Sequence, residues 1–224
     1  MSIHLHRDME SLQRQVLAQS SLVEEMICKA SKAIRRMRPE LIAEIRERED
    51  LVDDNEVRIE EDCLKILALH QPVARDLRRT AAILKVNNDL ERMADLAVNI
   101  AERAQCLSSY SGFVVPETLD RMAQATVAMV KRALDALVHF DVDIAREVCL
   151  SDDEVDTLNR EVIAEMQEIM RAQPNLIEAA LSLFSASRHI ERIADHATNI
   201  AEDVIYLVEG EIARHKHDLD PSVE

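Results

Sequence analysis

ERMADLAVNIAE at residues 91–102 returns as ERIADHATNIAE at residues 191–202, and this duplicated stretch decides the fold. The two copies agree at nine of twelve positions and lie 100 residues apart. This period is too long for a solenoid repeat and fits a duplicated half of a domain. The sequence therefore predicts two structurally related halves within one chain of 224 residues.

Each copy of the duplicated stretch has the layout of a helix with one acidic face. At about 100° per residue, the acidic and amide side chains of a copy fall on a single stripe. The stripes are Glu91, Asp95, Asn99 and Glu102 in the first copy and Glu191, Asp195, Asn199 and Glu202 in the second. The opposite arc is apolar and rich in alanine, which allows a neighbouring helix to approach closely.

The composition indicates long helices. Two glycines and five prolines leave few positions for tight turns, and 47% hydrophobic residues are enough to build a core. No apolar run approaches the roughly 20 residues that span a bilayer. The start of the chain does not resemble a secretory signal, and the four cysteines lack CxxC spacing. We therefore expect a cytoplasmic protein.

The charge narrows the class of partner. A formal net charge of −16 argues against nucleic acid, because binding there depends on phosphate neutralisation by Lys and Arg. Such a charge favours cations or a basic protein surface. Two glycines also cannot supply a P-loop or a dinucleotide fingerprint, and no Ser/His/Asp or Cys/His grouping recurs between the halves.

Apolar periodicity and the prolines divide the chain into six helices. The predicted spans are 3–37, 40–70, 72–107, 117–139, 142–172 and 174–210. The predicted fold class is all-α: two tandem three-helix bundles related by internal duplication. The predicted units are a first bundle at 1–108, a linker at 109–116, a second bundle at 117–210 and a frayed tail at 211–224.

The acidic stripes are candidates for a metal site. Glu-x-x-x-Asp places two carboxylates one turn apart, and hard or borderline cations take such oxygen ligands. A site also needs ligands from a second helix, and Asp152 and Asp156 repeat the one-turn spacing in the second half. In the first half, Arg58 follows Asp54 where the matching acid is expected, so that motif is complete only if Asp50 or Asp53 substitutes.

Other interpretations of the stripes stay open. They are compatible with a solvated helix face, or with a salt-bridge network in which Arg92 and Arg192 pair with the carboxylates. A di-iron bundle of the Glu-x-x-His type is excluded, because that spacing is absent. His196 is predicted to have a surface or interface role rather than a ligand role. His215 and His217 of the tail form a weaker candidate for chelation.

Four segments carry a family resemblance. They are DLERMADLAVNIAE (89–102), HIERIADHATNIAEDV (189–204), QPVARDLRRTAAILK (71–85) and DDEVD (152–156). Together they resemble the PhoU family, the phosphate-specific transport system accessory proteins, over nearly the whole chain. The resemblance implies a PhoU-like pair of bundles, a cytoplasmic homodimer, and negative regulation of phosphate uptake and of the phosphate-starvation response.

The resemblance also implies partners and metals. The implied partners are the ATPase subunit of the phosphate ABC transporter and a phosphate-sensing histidine kinase, with membrane association only through them. The implied role is that of a non-enzymatic adaptor. Family motifs able to hold iron, zinc, manganese or magnesium fall on Glu91 with Asp95, Glu191 with Asp195, Asp152 with Asp156, and Asp54 with the position of Arg58. A metalloenzyme acting on phosphate esters and a purely structural scaffold are the alternative functions.

Overall fold

Six long helices and no strand make up the part of the chain, residues 3–110 and 112–210, that a computed structural model describes. The helices are α1 (Ile3–Arg36), α2 (Leu41–His70), α3 (Ala74–Ser108), α4 (Glu117–His139), α5 (Val142–Ala172) and α6 (Ile177–Glu209). A short 3-10 turn, Pro174–Leu176, leads into α6. The all-α prediction is confirmed. The predicted frayed tail, with His215 and His217, lies outside the described residues.

Local sequence explains where the helices stop and start. Gln71 and Phe140 take left-handed backbone angles, with φ of 43° and 54°, and close the ends of α2 and α4. Gly210 ends α6 in the same way at a φ of 79°, where glycine is favoured because it has no Cβ. Asp141 caps α5 by accepting hydrogen bonds from the backbone N–H groups of Asp143 and Ile144, both at 3.0 Å.

The six helices pack as two sets of three. Helices α1, α2 and α3 contact one another, as do α4, α5 and α6. The two sets are also joined to each other, because α3 packs along α6 in a contact as extensive as that between α5 and α6. A single hydrophobic core runs through both halves. The alanines predicted for the apolar arc are buried, with Ala97 and Ala197 both 0% exposed.

The contact between α3 and α6, here called the seam, is antiparallel. Lys85 near the start of α3 contacts Asp203 near the end of α6, at 2.8 Å between Nζ and Oδ1. At the other end, the Tyr110 hydroxyl just beyond α3 donates to Glu178 in the first turn of α6 at 2.7 Å. Because the two helices carry the repeat copies, the seam relates the two halves by an approximate two-fold arrangement.

The buried positions fix how the halves correspond. Ile45, Val52 and Ile59 on α2 are buried, and so are Val148, Val155 and Val162 on α5, each 103 residues further on. The spacing shortens to 100 in α3 and α6, where the duplicated stretches lie. The second half is therefore shorter between its second and third helices, so a single offset cannot align both parts.

The cysteines and the helix compositions give no sign of a redox pair or of a membrane span. Cys28, Cys63, Cys106 and Cys149 are all free. Burial raises the pKa of Cys63 to about 12, so this thiol stays protonated at neutral pH. Of the helices described, none combines the length and the apolar character that crossing a membrane requires.

Candidate functional site

Four carboxylates of the second half form the second acidic cluster: Asp152 and Asp156 on α5, and Glu191 and Asp195 on α6. Desolvation of the Asp195 carboxyl, followed by the charges of Glu191, Asp152 and Asp156, raises the pKa of Asp195 to about 6. Burial and the neighbouring Asp156 also raise the pKa of Asp152. The structure therefore brings the four predicted acids together from two helices.

The first half has a matching group, the first acidic cluster: Glu49 and Asp53 on α2, and Glu91 and Asp95 on α3. Burial is the largest cause that raises the pKa of Glu49, Asp53 and Glu91. The charge of Asp95 adds to all three shifts. Each half thus carries unbalanced negative charge between its second and third helices.

Glu49 is the member that the sequence analysis did not name, whereas Asp53 was named there as one of two acids able to complete the motif. They lie one turn apart, 103 residues before Asp152 and Asp156, in the register that the buried positions set. The sequence analysis took Asp54 and the position of Arg58 as the metal motif of the first half, which assumes a different alignment of α2 with α5. In the structure Arg58 is exposed and lines a cleft between α1 and α2, lined also by Gln15 and Asp62. Metal binding by Asp54, which is exposed beside Asp53, stays a prediction.

The outer members of the two stripes make other contacts. Asn99 donates its side-chain amide to the backbone oxygen of Asp95 at 2.9 Å. Glu102 forms a 2.7 Å ion pair with Arg46 of α2. In the second copy, Asn199 donates to Asp89 across the seam at 3.4 Å.

Glu202, the last member of the second stripe, acts on α5. Burial raises the pKa of Cys149 to about 11, and the charge of Glu202 adds to that shift. The two stripes therefore contact more than one neighbouring helix. Only the first two acids of each stripe belong to an acidic cluster.

Arginines pair with some cluster carboxylates. Arg92 lies 3.3 Å from Glu91 and 3.5 Å from Asp95, as the salt-bridge interpretation expected. In the second half, Arg188 pairs with Glu191 at 2.9 Å. The Arg92 side chain is 53% exposed, and ion pairs at such positions contribute little to stability. These pairs reduce the negative charge of the clusters without removing it.

His196 takes the interface role that the sequence analysis favoured. Its Nδ1 atom lies 2.8 Å from Oδ1 of Asp89, which is buried on α3. The contact crosses the seam and joins the two halves. His196 therefore faces α3 and is not a member of the second acidic cluster.

The cluster carboxylates suit a metal ion in donor type and charge. Carboxylate oxygens are ligands for hard cations, and crowding of like charges is relieved by a bound cation. In residues 3–110 and 112–210 as they stand, no three His, Cys, Asp or Glu side chains converge into a group that could hold an ion. Binding therefore requires rotation of these side chains, which the partial exposure of the clusters permits.

Two related three-helix halves, joined along one seam and each carrying a carboxylate cluster, define a class of duplicated all-helical proteins. The model of the PhoU domain matches this chain twice, at residues 16–104 and 119–204. The chain belongs to the PhoU family. The resemblance carried by the duplicated stretches is thereby confirmed.

Curated relatives match over nearly their whole length. A phosphate-specific transport system accessory protein PhoU homolog of Aquifex aeolicus is 38% identical over 213 residues, covering 95% of this chain and 96% of the relative. A homolog of the same name from Pseudomonas aeruginosa is 37% identical over 219 residues, covering 96% and 89%. The similarity therefore includes both halves.

Solved structures share the fold. The crystal structure of PhoU from Pseudomonas aeruginosa superposes with a TM-score of 0.89 at 36% identity, covering 92% of this chain and 99% of that one. The crystal structure of the phosphate transport system regulatory protein PhoU from Streptococcus pneumoniae gives 0.86 at 26% identity, covering 93% and 98%. The arrangement of two three-helix halves is thus common to these proteins.

Proposed function

We propose that this protein is an accessory protein of phosphate transport that negatively regulates phosphate uptake and the phosphate-starvation response. The observation that carries the proposal is the presence of the PhoU domain in both halves, at residues 16–104 and 119–204. Support comes from relatives named phosphate-specific transport system accessory proteins, which match 95–96% of this chain. Their names describe accessory proteins and not enzymes, in agreement with a non-enzymatic role.

The test is deletion of the gene in the host, read with a phosphate-starvation reporter in phosphate-rich medium. We expect the reporter to be switched on in the deletion strain, because a negative regulator is removed. The full-length chain supplied from a plasmid restores repression. A reporter that stays off in the deletion strain contradicts the regulatory role and favours a structural scaffold.

The proposed mechanism is that of a cytoplasmic adaptor, acting as a homodimer, that links the ATPase subunit of the phosphate ABC transporter to a phosphate-sensing histidine kinase. Exposed apolar side chains supply contact surfaces for proteins. One set lies on the first turns of α6, where Ile177, Leu181 and Phe184 are 40%, 51% and 37% exposed. The three residues follow helical spacing and form one stripe.

A pull-down from cell extract tests the adaptor role. We expect the tagged protein to retain the transporter ATPase and the kinase, and Leu181→Lys to weaken at least one of these contacts. Leu150→Lys is a matched control, because Leu150 is 71% exposed on α5, outside the stripe. Retention of neither partner by the wild-type protein contradicts the adaptor mechanism.

We further propose that the acidic clusters bind metal ions, with iron, zinc, manganese and magnesium all suited to the oxygen ligands. Glu91 and Asp95 from α3, with Glu49 and Asp53 from α2, would hold the ion in the first half. The four carboxylates of the second acidic cluster would hold it in the second. A bound ion supplies positive charge that links two helices of one bundle.

Elemental analysis of the purified protein tests the metal proposal. Changing Glu91, Asp95, Glu191 and Asp195 together to Ala should abolish bound metal, and unchanged metal content in this variant would sink the idea. Glu49→Ala with Asp53→Ala should remove metal from the first half alone. Asp54→Ala tests the other register of α2, because loss of metal from the first half in this variant would assign the site to Asp54 instead, and circular dichroism checks that each variant is folded.

A further inference from the structure

The seam between α3 and α6 has two polar ends that differ in charge. One, here called the paired end, contains Lys85 and Asp89 of α3 and Asp203 of α6. The other, here called the cationic end, contains Arg103 of α3 and Ser185, His189 and Arg192 of α6. The duplication relates the two ends, because each contains the repeat equivalents of residues at the other.

At the paired end, buried carboxylates meet cations and amides. The Lys85 ammonium donates to Asp203 at 2.8 Å, and the Asp203 side chain is only 3% exposed. His196 and Asn199 of α6 both contact Oδ1 of Asp89, at 2.8 and 3.4 Å. Both buried acids at this end therefore have partners across the seam.

The cationic end lacks these carboxylates. One hundred residues separate Asp203 from Arg103 and Asp89 from His189, so a guanidinium and an imidazole occupy the repeat positions of the two acids. The repeat position of Lys85 holds Ser185, which has no charge. The exchange replaces two carboxylates, which only accept hydrogen bonds, with a guanidinium, which only donates them, and an imidazole, which can do both.

Two buried nitrogen atoms at the cationic end have no hydrogen-bond partner among the described residues. They are Arg103 Nε and His189 Nδ1. The Ser185 hydroxyl lies 3.3 Å from His189 Nε2. Ser182 of α6 donates to Cys106 Sγ of α3 at 3.2 Å, so the antiparallel seam brings Arg103, one turn before Cys106, alongside Ser185 and His189.

The nearest carboxylates have other partners. Glu102 approaches Arg103 Nη2 only to 3.9 Å, and it is held by Arg46 at 2.7 Å. Glu191 is held through Oε1 by Arg188 at 2.9 Å, while its Oε2 atom is buried without a hydrogen bond. The Arg103 side chain is 37% exposed, so its guanidinium can be approached from solvent. The cationic end therefore has unused donors and an open side.

We propose that the cationic end binds a small oxyanion, either inorganic phosphate or the phosphate group of a monoester, in the role that Asp89 and Asp203 have at the paired end. Arg103 and Arg192 supply guanidinium donors, whose planar fork matches phosphate oxygens. Ser185 supplies a hydroxyl donor. The site lies on the seam, beside the Glu191 end of the second acidic cluster, and does not depend on the proposed regulatory role.

Calorimetric titration of the full-length protein tests the site. The protein is treated with a chelator, so that phosphate cannot bind through a metal ion, and is titrated at low ionic strength. One arm uses inorganic phosphate and the other phenyl phosphate, which distinguishes free phosphate from a monoester. We expect saturable binding in at least one arm and a loss of about tenfold or more in affinity for Arg103→Gln, because a charge-assisted hydrogen bond is removed. Arg171→Gln is the matched control, since Arg171 is an exposed arginine near the end of α5.

A second variant keeps the test informative if Arg103→Gln is poorly folded. Arg103→Asp combined with Ser185→Lys reproduces the Lys85–Asp203 pair at the cationic end, so this protein should fold and should not bind phosphate. Absence of binding to the wild-type protein in both arms overturns the proposal. Wild-type affinity in both the Arg103→Gln protein and the double variant overturns it as well.

Discussion

Asp195 is partly open to water, yet its carboxyl group is crowded by three others, those of Glu191, Asp152 and Asp156. Its pKa is about 6 in the folded protein, compared with its usual 3.8. Between these two values the folded state binds more protons at this position than the unfolded state does. The contribution of Asp195 to stability is therefore present at low pH and is lost as the pH rises through about 6.

Replacing Asp195 with Asn should stabilise the protein at pH 7, because the substitution removes a charge that the folded state disfavours. We expect the free energy of unfolding to rise by about 1 kcal/mol, less than the full pKa difference implies, since water screens the partly exposed group. Near pH 4 the gain should disappear. Urea denaturation at both pH values measures this, in protein freed of metal by a chelator.

Asp135→Asn is the matched control for that experiment, because Asp135 is exposed on α4 and belongs to neither acidic cluster. We expect this variant to show the same stability as the wild-type protein at both pH values. A loss of stability in Asp195→Asn at pH 7 contradicts the crowding of carboxylates in the second acidic cluster.

For single residues, the sequence predicts which acids recur in both halves better than it predicts which acids of the neighbouring helix they meet. The acids Glu91, Asp95, Glu191 and Asp195 are predicted because they recur at helical spacing in both copies. Glu49 is not predicted, and Asp53 is predicted only as an alternative to Asp50, because many acids follow one another in that part of α2 and several registers fit. The choice depends on which side of α2 is buried, and this is a tertiary property.

At the scale of the helices, prediction from sequence succeeds because the signals that start and end a helix are local. Apolar periodicity and proline positions predict helices at 117–139 and 142–172, and the structure has Glu117–His139 and Val142–Ala172. The seam is different. Asp89 and Asp203 are buried in it, and nothing in the local sequence distinguishes them from the solvated acids nearby. Their environment comes from contacts between distant parts of the chain.

The Lys85–Asp203 pair should stabilise the packing of α3 against α6. Lys85→Met removes the ammonium that lies 2.8 Å from the buried Asp203 carboxylate, so we expect a loss of about 2 kcal/mol in the free energy of unfolding. Urea denaturation at pH 7 measures the loss. Lys131→Met, at an exposed position on α4, should have little effect. Equal stability of the two variants contradicts a role for this pair in the seam.

At the scale of the whole molecule, the two halves share one core. The sequence predicts two tandem bundles, and the repeats are observed, but their joining along α3 and α6 is visible only in the structure. Two halves that share an extensive apolar contact should unfold together, because neither can leave the contact without exposing part of the core.

We therefore expect one unfolding transition. Tyr110 and Tyr206 lie in different halves, near opposite ends of the seam, and the chain has no tryptophan. Tyrosine fluorescence consequently reports on both ends, and circular dichroism at about 222 nm reports on all helices. The two signals should change at the same urea concentration. Separate transitions contradict cooperative unfolding and indicate that the bundles are independent.

The duplication gives the seam a property that a homodimer contact lacks. In an isologous interface between identical subunits, every substitution appears twice, so the two ends must keep the same chemistry. Here both sides of the contact belong to one polypeptide, and a mutation in one repeat leaves its counterpart unchanged. Asp89 and His189 record such a divergence. Because the two copies are joined in one chain, symmetry-related surfaces can carry different residues. The paired end holds α3 and α6 together, and the cationic end is the one proposed to bind a ligand.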